Sequence, residues 1–109
     1  MLNEFQVTNN TVLKHYLVQQ HLTLDTPQAH RIIKRLCKHF QHKVDVEWGD
    51  DHALIYFEEG ICVLNANMQE LYLVCEADND SDLKAITDTM DRHIKAFCPS
   101  ETFSICWKS

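Results

Sequence analysis

Cys37, His39 and His42 fall close together in the run Leu36-Cys37-Lys38-His39-Phe40-Gln41-His42-Lys43. Thiolate and imidazole are ligands for zinc, iron and copper, so Cys-x-His-x-x-His first suggests a metal site. Helical geometry tempers that idea. At about 100° per residue, Cys37 and His39 point about 160° apart and cannot reach one ion from one helix. His39 and His42 are i,i+3 neighbours and share a face. A closed zinc site usually takes four ligands, so donors must come from elsewhere, and Cys62 and His93 are the candidates. The expected set is His39, His42, Cys62 and His93, with Fe or Zn as the candidate metal. The competing reading has Cys37 and Cys62 as small buried hydrophobes, and the histidines as rim residues bonded to their neighbours. The residue types favour four separately satisfied side chains.

Other chemistry has less to stand on. A nucleophilic thiol needs a neighbouring base, and Cys37 points away from His39. Cys98-Pro99 resembles the dipeptide of some haem-responsive sites, but Pro99 already has a helix-stopping role and haem is not expected. Two glycines and two prolines leave no Gly-rich phosphate loop, and Gly-x-Ser-x-Gly is absent. Glu47, Glu58, Glu59 and Glu76 read as solvated sheet rims. No complete catalytic constellation is present, and a non-enzymatic protein is expected.

The element that must position the cluster runs from Thr26 to Lys43. Thr26 followed by Pro27 is a helix start, Thr capping free amides and Pro presetting φ. Ala29, Ile32, Ile33, Leu36, Cys37 and Phe40 then recur at helical spacing in a stripe roughly 140° wide, opposite Arg31, Lys34, Arg35, Lys38 and His42. Before this helix, Val12, Leu13, Tyr16 and Leu17 share one face of a short helix within an N-terminal extension, residues 1–20, and His21–Asp25 alternates as a strand. After it the period becomes two. Val44–Trp48, Ala53–Phe57, Ile61–Ala66 and Leu71–Ala77 read as strands joined by short turns, an antiparallel meander. Asp80 and Ser81 cap a second helix with the stripe Leu83, Ile86, Met90, Ile94 and Phe97, His93 at its edge and Pro99 at its end. Thr102–Trp107 reads as a closing strand.

The order is β-α-β-β-β-β-α-β after a short N-terminal helix. Each long helix must bury its stripe against the sheet, so residues 21–109 are expected to form one α+β domain, a two-layer sandwich with both helices on one face.

A net charge of −6 and the lack of a basic patch interleaved with aromatics argue against nucleic acid. No apolar run approaches membrane-spanning length and the N-terminus does not read as a signal peptide, so a soluble cytoplasmic protein is expected. Its five cysteines are an odd number with no Cys-x-x-Cys pair, most simply reduced thiols.

The helix end Leu36-Cys37-Lys38-His39-Phe40 with His42-Lys43 resembles a small bacterial family, domain of unknown function 2218. Val46-Glu47, Gly60, Cys62, Leu64, Leu71, Leu73, Glu76-Ala77, His93, Phe97, Glu101 and Trp107 follow in matching order, so the resemblance covers about residues 21–108. It implies a domain of similar size and an accessory role in iron handling, because some members are attached to flavin-dependent siderophore-interacting reductases. Such a reductase is the implied partner. The resemblance carries over no catalytic residues.

The family register turns Ile55, Phe57, Cys62, Leu64, Leu71, Leu73 and Cys75 toward the helices. Leu54, Tyr56, Ile61, Val63, Tyr72 and Val74 then lie on the opposite face, where an antiparallel sheet is ordinarily polar. An apolar patch of that kind marks a partner surface. Leu54, Tyr56, Tyr72 and Val74 are the expected interface, covered by a second copy in a homodimer or by Val12–Leu17. Two functions therefore compete: a binding domain of iron or siderophore metabolism, with its site at the end of the central helix, and an interaction module without a ligand.

Overall fold

The computed structural model describes residues 16–99 and 103–109. The expected helix over Val12–Leu17 falls largely outside them; Tyr16 and Leu17 lead without helical structure into the first strand. The chain then forms β1 (Val18–Asp25), α1 (Ala29–Phe40), β2 (Asp45–Trp48), β3 (His52–Tyr56), β4 (Gly60–Ala66), β5 (Glu70–Ala77) and α2 (Asp80–Phe97). The fold is α+β, with five antiparallel strands in the order β1-β5-β4-β3-β2.

Consecutive strands β2 to β5 pair through short turns, as alternating sequences with polar breaks should. Phe57 and Gly60 exchange both backbone hydrogen bonds around Glu58-Glu59. Asn67 Oδ1 accepts from the amides of Gln69 and Glu70, each at 2.8 Å, closing the turn into β5. β1 adds beyond β5, at the opposite edge from β2. The connection through α1 therefore crosses the sheet, and this crossing lays the helix over β2 to β5. α2 leaves the end of β5 and packs over β5, β4 and β1 as well as against α1.

The two helical stripes and the inward sheet residues form one core. Ile32, Ile33, Leu36, Cys37 and Phe40 from α1 meet Leu83, Ile86, Met90 and Ile94 from α2 over Ile55, Cys62, Leu64, Leu71, Leu73 and Cys75. Removing that apolar surface from water is the main term holding the layers together.

Both helix starts differ from the sequence reading. Pro27 and Gln28 form a turn and α1 begins two residues after Pro27, with Gln28 at the N-cap position and no side-chain cap. Thr26 Oγ1 instead accepts the Gln28 amide at 3.0 Å, and the Thr26 amide donates to the Gln69 carbonyl at 2.9 Å, so Thr26 ties the loop to the sheet. In α2 the cap is Asn79, one residue before Asp80; its Oδ1 accepts the Asp82 amide at 2.8 Å.

The expected closing strand begins at Thr102, outside the described residues, and among those described it is reduced to a single bridge. His21 and Lys108 exchange backbone hydrogen bonds of 2.7 and 2.9 Å on the outer edge of β1. Phe103, Ile105 and Trp107 still alternate inward against the core while Ser104, Cys106 and Lys108 are exposed. Trp107 Nε1 donates to Asp91 Oδ1 at 2.8 Å, anchoring the segment to α2.

Candidate functional site: the histidine pair between the helices

α1 and α2 run antiparallel where they touch: Arg35 lies by Phe97, and His39 by His93. His39 sits just off the buried stripe of α1 and His93 just off that of α2, so the seam between the helices brings the two rings together, both half-buried. Their ring centres are 4.7 Å apart, and Nε2 of one lies 3.1 Å from Nε2 of the other.

Hydrogen bonding orders the pair. His93 Nδ1 lies 2.7 Å from the Thr89 carbonyl oxygen, one turn earlier in α2. A carbonyl only accepts, so Nδ1 carries the proton and donates, leaving Nε2 of a neutral His93 as an acceptor. His39 Nε2–H is then the donor between the rings. Aromatic side chains frame both imidazoles. Phe40 is 5.0 Å from the His39 ring and 4.8 Å from the His93 ring, Phe97 is 5.8 and 5.9 Å from them, and Phe57 stands edge-on to Phe40 at 5.2 Å. Burial holds the His39 pKa below the ordinary imidazole value, and positive charge at His93, Lys43 and His42 acts in the same direction. The uncharged form of His39 is therefore favoured.

The other two expected donors are elsewhere. α1 ends at Phe40, and Gln41–Lys43 form a turn closed by hydrogen bonds from the Lys43 and Val44 amides to the Phe40 carbonyl, 2.8 and 2.9 Å. His42 is consequently exposed in the turn, and the helical i,i+3 relation with His39 does not arise. Cys62 is fully buried beneath the helices, directly across from Cys75, whose thiol donates to it at 3.5 Å. Burial pushes the Cys62 thiol well above its ordinary pKa, and the bond from Cys75 adds to that; burial likewise pushes Cys37 up to about 11. These thiols stay protonated, whereas a metal needs the thiolate. Of the expected set, the fold joins His39 and His93. Among the described residues no cluster of three metal-ligating groups forms.

The sequence reading missed three contributors, the Thr89 carbonyl, Phe57 and Arg35. The guanidinium of Arg35 lies 4.8 Å over the Phe97 ring. Thr89 stands four residues before His93, the spacing at which a helical imidazole reaches back to a carbonyl. Arg35 stands four before His39, hence one turn away on the same flank of α1.

Residues 21–108 match the family described as uncharacterized protein conserved in bacteria (DUF2218). The chain belongs to that family. The NMR structure of PA4090 from Pseudomonas aeruginosa is similar, with a TM-score of 0.73 and 25% sequence identity over 84% of this chain and 96% of that one. Among curated proteins, none matches. The DUF2218 match begins at His21, within β1, and ends at Lys108, so its limits coincide with the two partners of the closing bridge.

On the far side of the sheet, the cross-strand register forms one apolar row, Leu54–Val63–Val74, continued by His21, and a second through Tyr56 and Ile61. Tyr72 lies off those rows; its hydroxyl is 2.6 Å from His21 Nδ1. Ile61 is buried, Leu54, Tyr56, Val63 and Val74 are half-buried, and Tyr72 is exposed. Burial and the nearby Glu47 carboxylate raise the Tyr56 phenol above its ordinary pKa. Among the described residues, no helix is long and apolar enough to cross a membrane.

Proposed function

We propose that this chain is a non-enzymatic binding domain whose ligand is a transition-metal ion, or a small complex of one, held by His39 and His93. The observation that carries the proposal is the 3.1 Å separation of the two Nε2 atoms. Zinc binds imidazole nitrogen at about 2.0–2.1 Å, which separates two ligands of a tetrahedral ion by about 3.3–3.4 Å, so the metal would enter as the His39 Nε2 proton gives way, His39 taking its Nδ1–H tautomer, and as the pair opens by a few tenths of an ångström. His93 Nδ1–H already donates to a carbonyl, the outer contact that orients a ligating histidine and fixes its tautomer. Imidazole suits zinc and iron alike. An ion on two imidazoles keeps open positions for water, for groups of a chelate, or for His42 from the neighbouring turn. The iron and siderophore setting, with a flavin reductase as partner, is supported by the family resemblance alone.

After chelation of carried-over metal, the protein is expected to take up one equivalent of zinc or iron(II), measured by equilibrium dialysis with mass-spectrometric metal analysis. His39→Ala and His93→Ala should each weaken uptake by at least tenfold with an unchanged circular dichroism spectrum. Equal uptake by wild type and both variants would sink the proposal and leave the pair as a structural hydrogen bond.

A second reading is favoured by the apolar rows on the outer sheet face: the domain associates through Leu54, Tyr56, Tyr72 and Val74 as a homodimer. Val74→Glu, placing a charge in the central row, should then convert a sedimenting dimer to monomer. A wild type that sediments as a monomer at high concentration contradicts that reading.

A further inference from the structure

A groove opens between the first half of α1 and the end of α2, separate from the histidine pair and one turn along the same seam. Its volume is about 220 Å³; Gln28, Arg31 and Arg35 form its polar wall, and Ile32, Phe97 and Pro99 contribute its apolar surface. We propose that this groove binds a small organic anion, a carboxylate attached to a flat apolar body.

Four observations point there. Arg31 and Arg35 are four residues apart, so two positive charges face the same groove one helical turn apart, an arrangement that is unfavourable without a counter-charge. The chain has 16 acidic residues, yet none of those described pairs with either guanidinium. No carboxylate is among the described residues that line the groove. Arg35 is also held in position: it lies over Phe97 at 4.8 Å, a contact that uses the ring face and consumes none of its N–H groups, and no hydrogen bond among the described residues engages them.

The ligand class follows from the lining. Guanidinium groups present paired N–H donors that match the two oxygens of a carboxylate, and Gln28 offers an amide beside them. The volume exceeds what a bare inorganic anion fills, and Phe97, half-buried, and Pro99, exposed, give the remainder an apolar surface against which a planar body can lie. The first turn of α1 carries no acidic side chain, so its amide dipoles add to the positive potential at that end. On a chain of net charge −6, this groove would distinguish anions from the cations that the rest of the surface attracts.

This inference does not depend on metal at His39 and His93, and its test is run in the presence of a chelator so that the two can fail separately. The probe is benzoate, titrated into the ¹⁵N-labelled full chain at constant ionic strength, with acetate and inorganic phosphate as comparison anions. Saturable shifts are expected at the amides of Arg31, Arg35 and Phe97, with acetate and phosphate at least tenfold weaker. Arg35→Gln and Arg31→Gln, both at exposed positions, should keep the wild-type spectrum elsewhere and weaken benzoate at least tenfold when combined. The proposal is overturned if benzoate gives no saturable shift at these residues, if the double variant binds it as well as wild type, or if phosphate binds as tightly.

Discussion

The contact between His39 and His93 joins side chains 54 positions apart, and it has a consequence for the metal-free protein that pH can read. Burial and nearby positive charge lower the folded pKa of His39 from about 6.5 in the unfolded chain. A lowered pKa means that the unfolded state binds more protons between the two values, so stability is fully present above about pH 6.5 and is lost as pH falls through the folded pKa. Urea unfolding between pH 7.5 and 5 should show a falling midpoint on acidification, with a shallower fall in His39→Gln. Identical profiles for the two proteins would show that the histidine's environment does not resist protonation.

Residue types alone identified His39 and His93 as candidates, but not their pairing. The sequence favoured His42 as the neighbour of His39 because the helical reading ran on to Lys43; the chain instead turns after Phe40. Cys62 was legible in the other sense, since the register that turns it inward also buries it and keeps its thiol protonated.

At the scale of the elements, apolar periodicity placed both helices and the five strands of the sheet because it reports which side chains leave water. It placed ends less well. An amide needs an acceptor, and Thr26, Gln28 and Asn79 compete for that role over a few residues. The closing segment shows the same limit: Phe103, Ile105 and Trp107 alternate as in a strand, yet side-chain alternation says nothing about backbone pairing, which among the described residues is confined to His21 and Lys108.

The junction of β4 with α2 depends on Gly60. A Cβ there would collide with the Glu76 carbonyl oxygen and come within 2.9 Å of Ile86 Cδ1. Because the backbone of β5 cannot retreat without breaking its ladder to β4, Gly60→Ala should destabilise the fold by about 1–3 kcal/mol, measured as a lower urea midpoint. An unchanged midpoint would mean that the strand can shift at no cost.

Across the whole molecule, the crossing of α1 over the sheet is what makes a helix–helix seam available. β1 and β2 occupy opposite edges, so α1 must travel between them, and α2 returns antiparallel beside it. The apolar stripes needed for this layering were legible in the sequence. The seam was not, because its polar residues, His39, His93 and Arg35, stand beside those stripes and not within them. The polar seam then lies on the helical side of the domain and the apolar rows on the far face of the sheet.

The most direct test of the histidine site is to follow the imidazole nitrogens of His39 and His93 by ¹H–¹⁵N NMR while zinc is added to the metal-free protein. Both Nε2 resonances are expected to move together and saturate at one equivalent, while His93 Nδ1 remains protonated on the Thr89 carbonyl. If zinc shifts only the other histidines, or leaves the Nε2–Nε2 hydrogen bond intact at saturation, the pair is a structural latch between the helices and not a metal site.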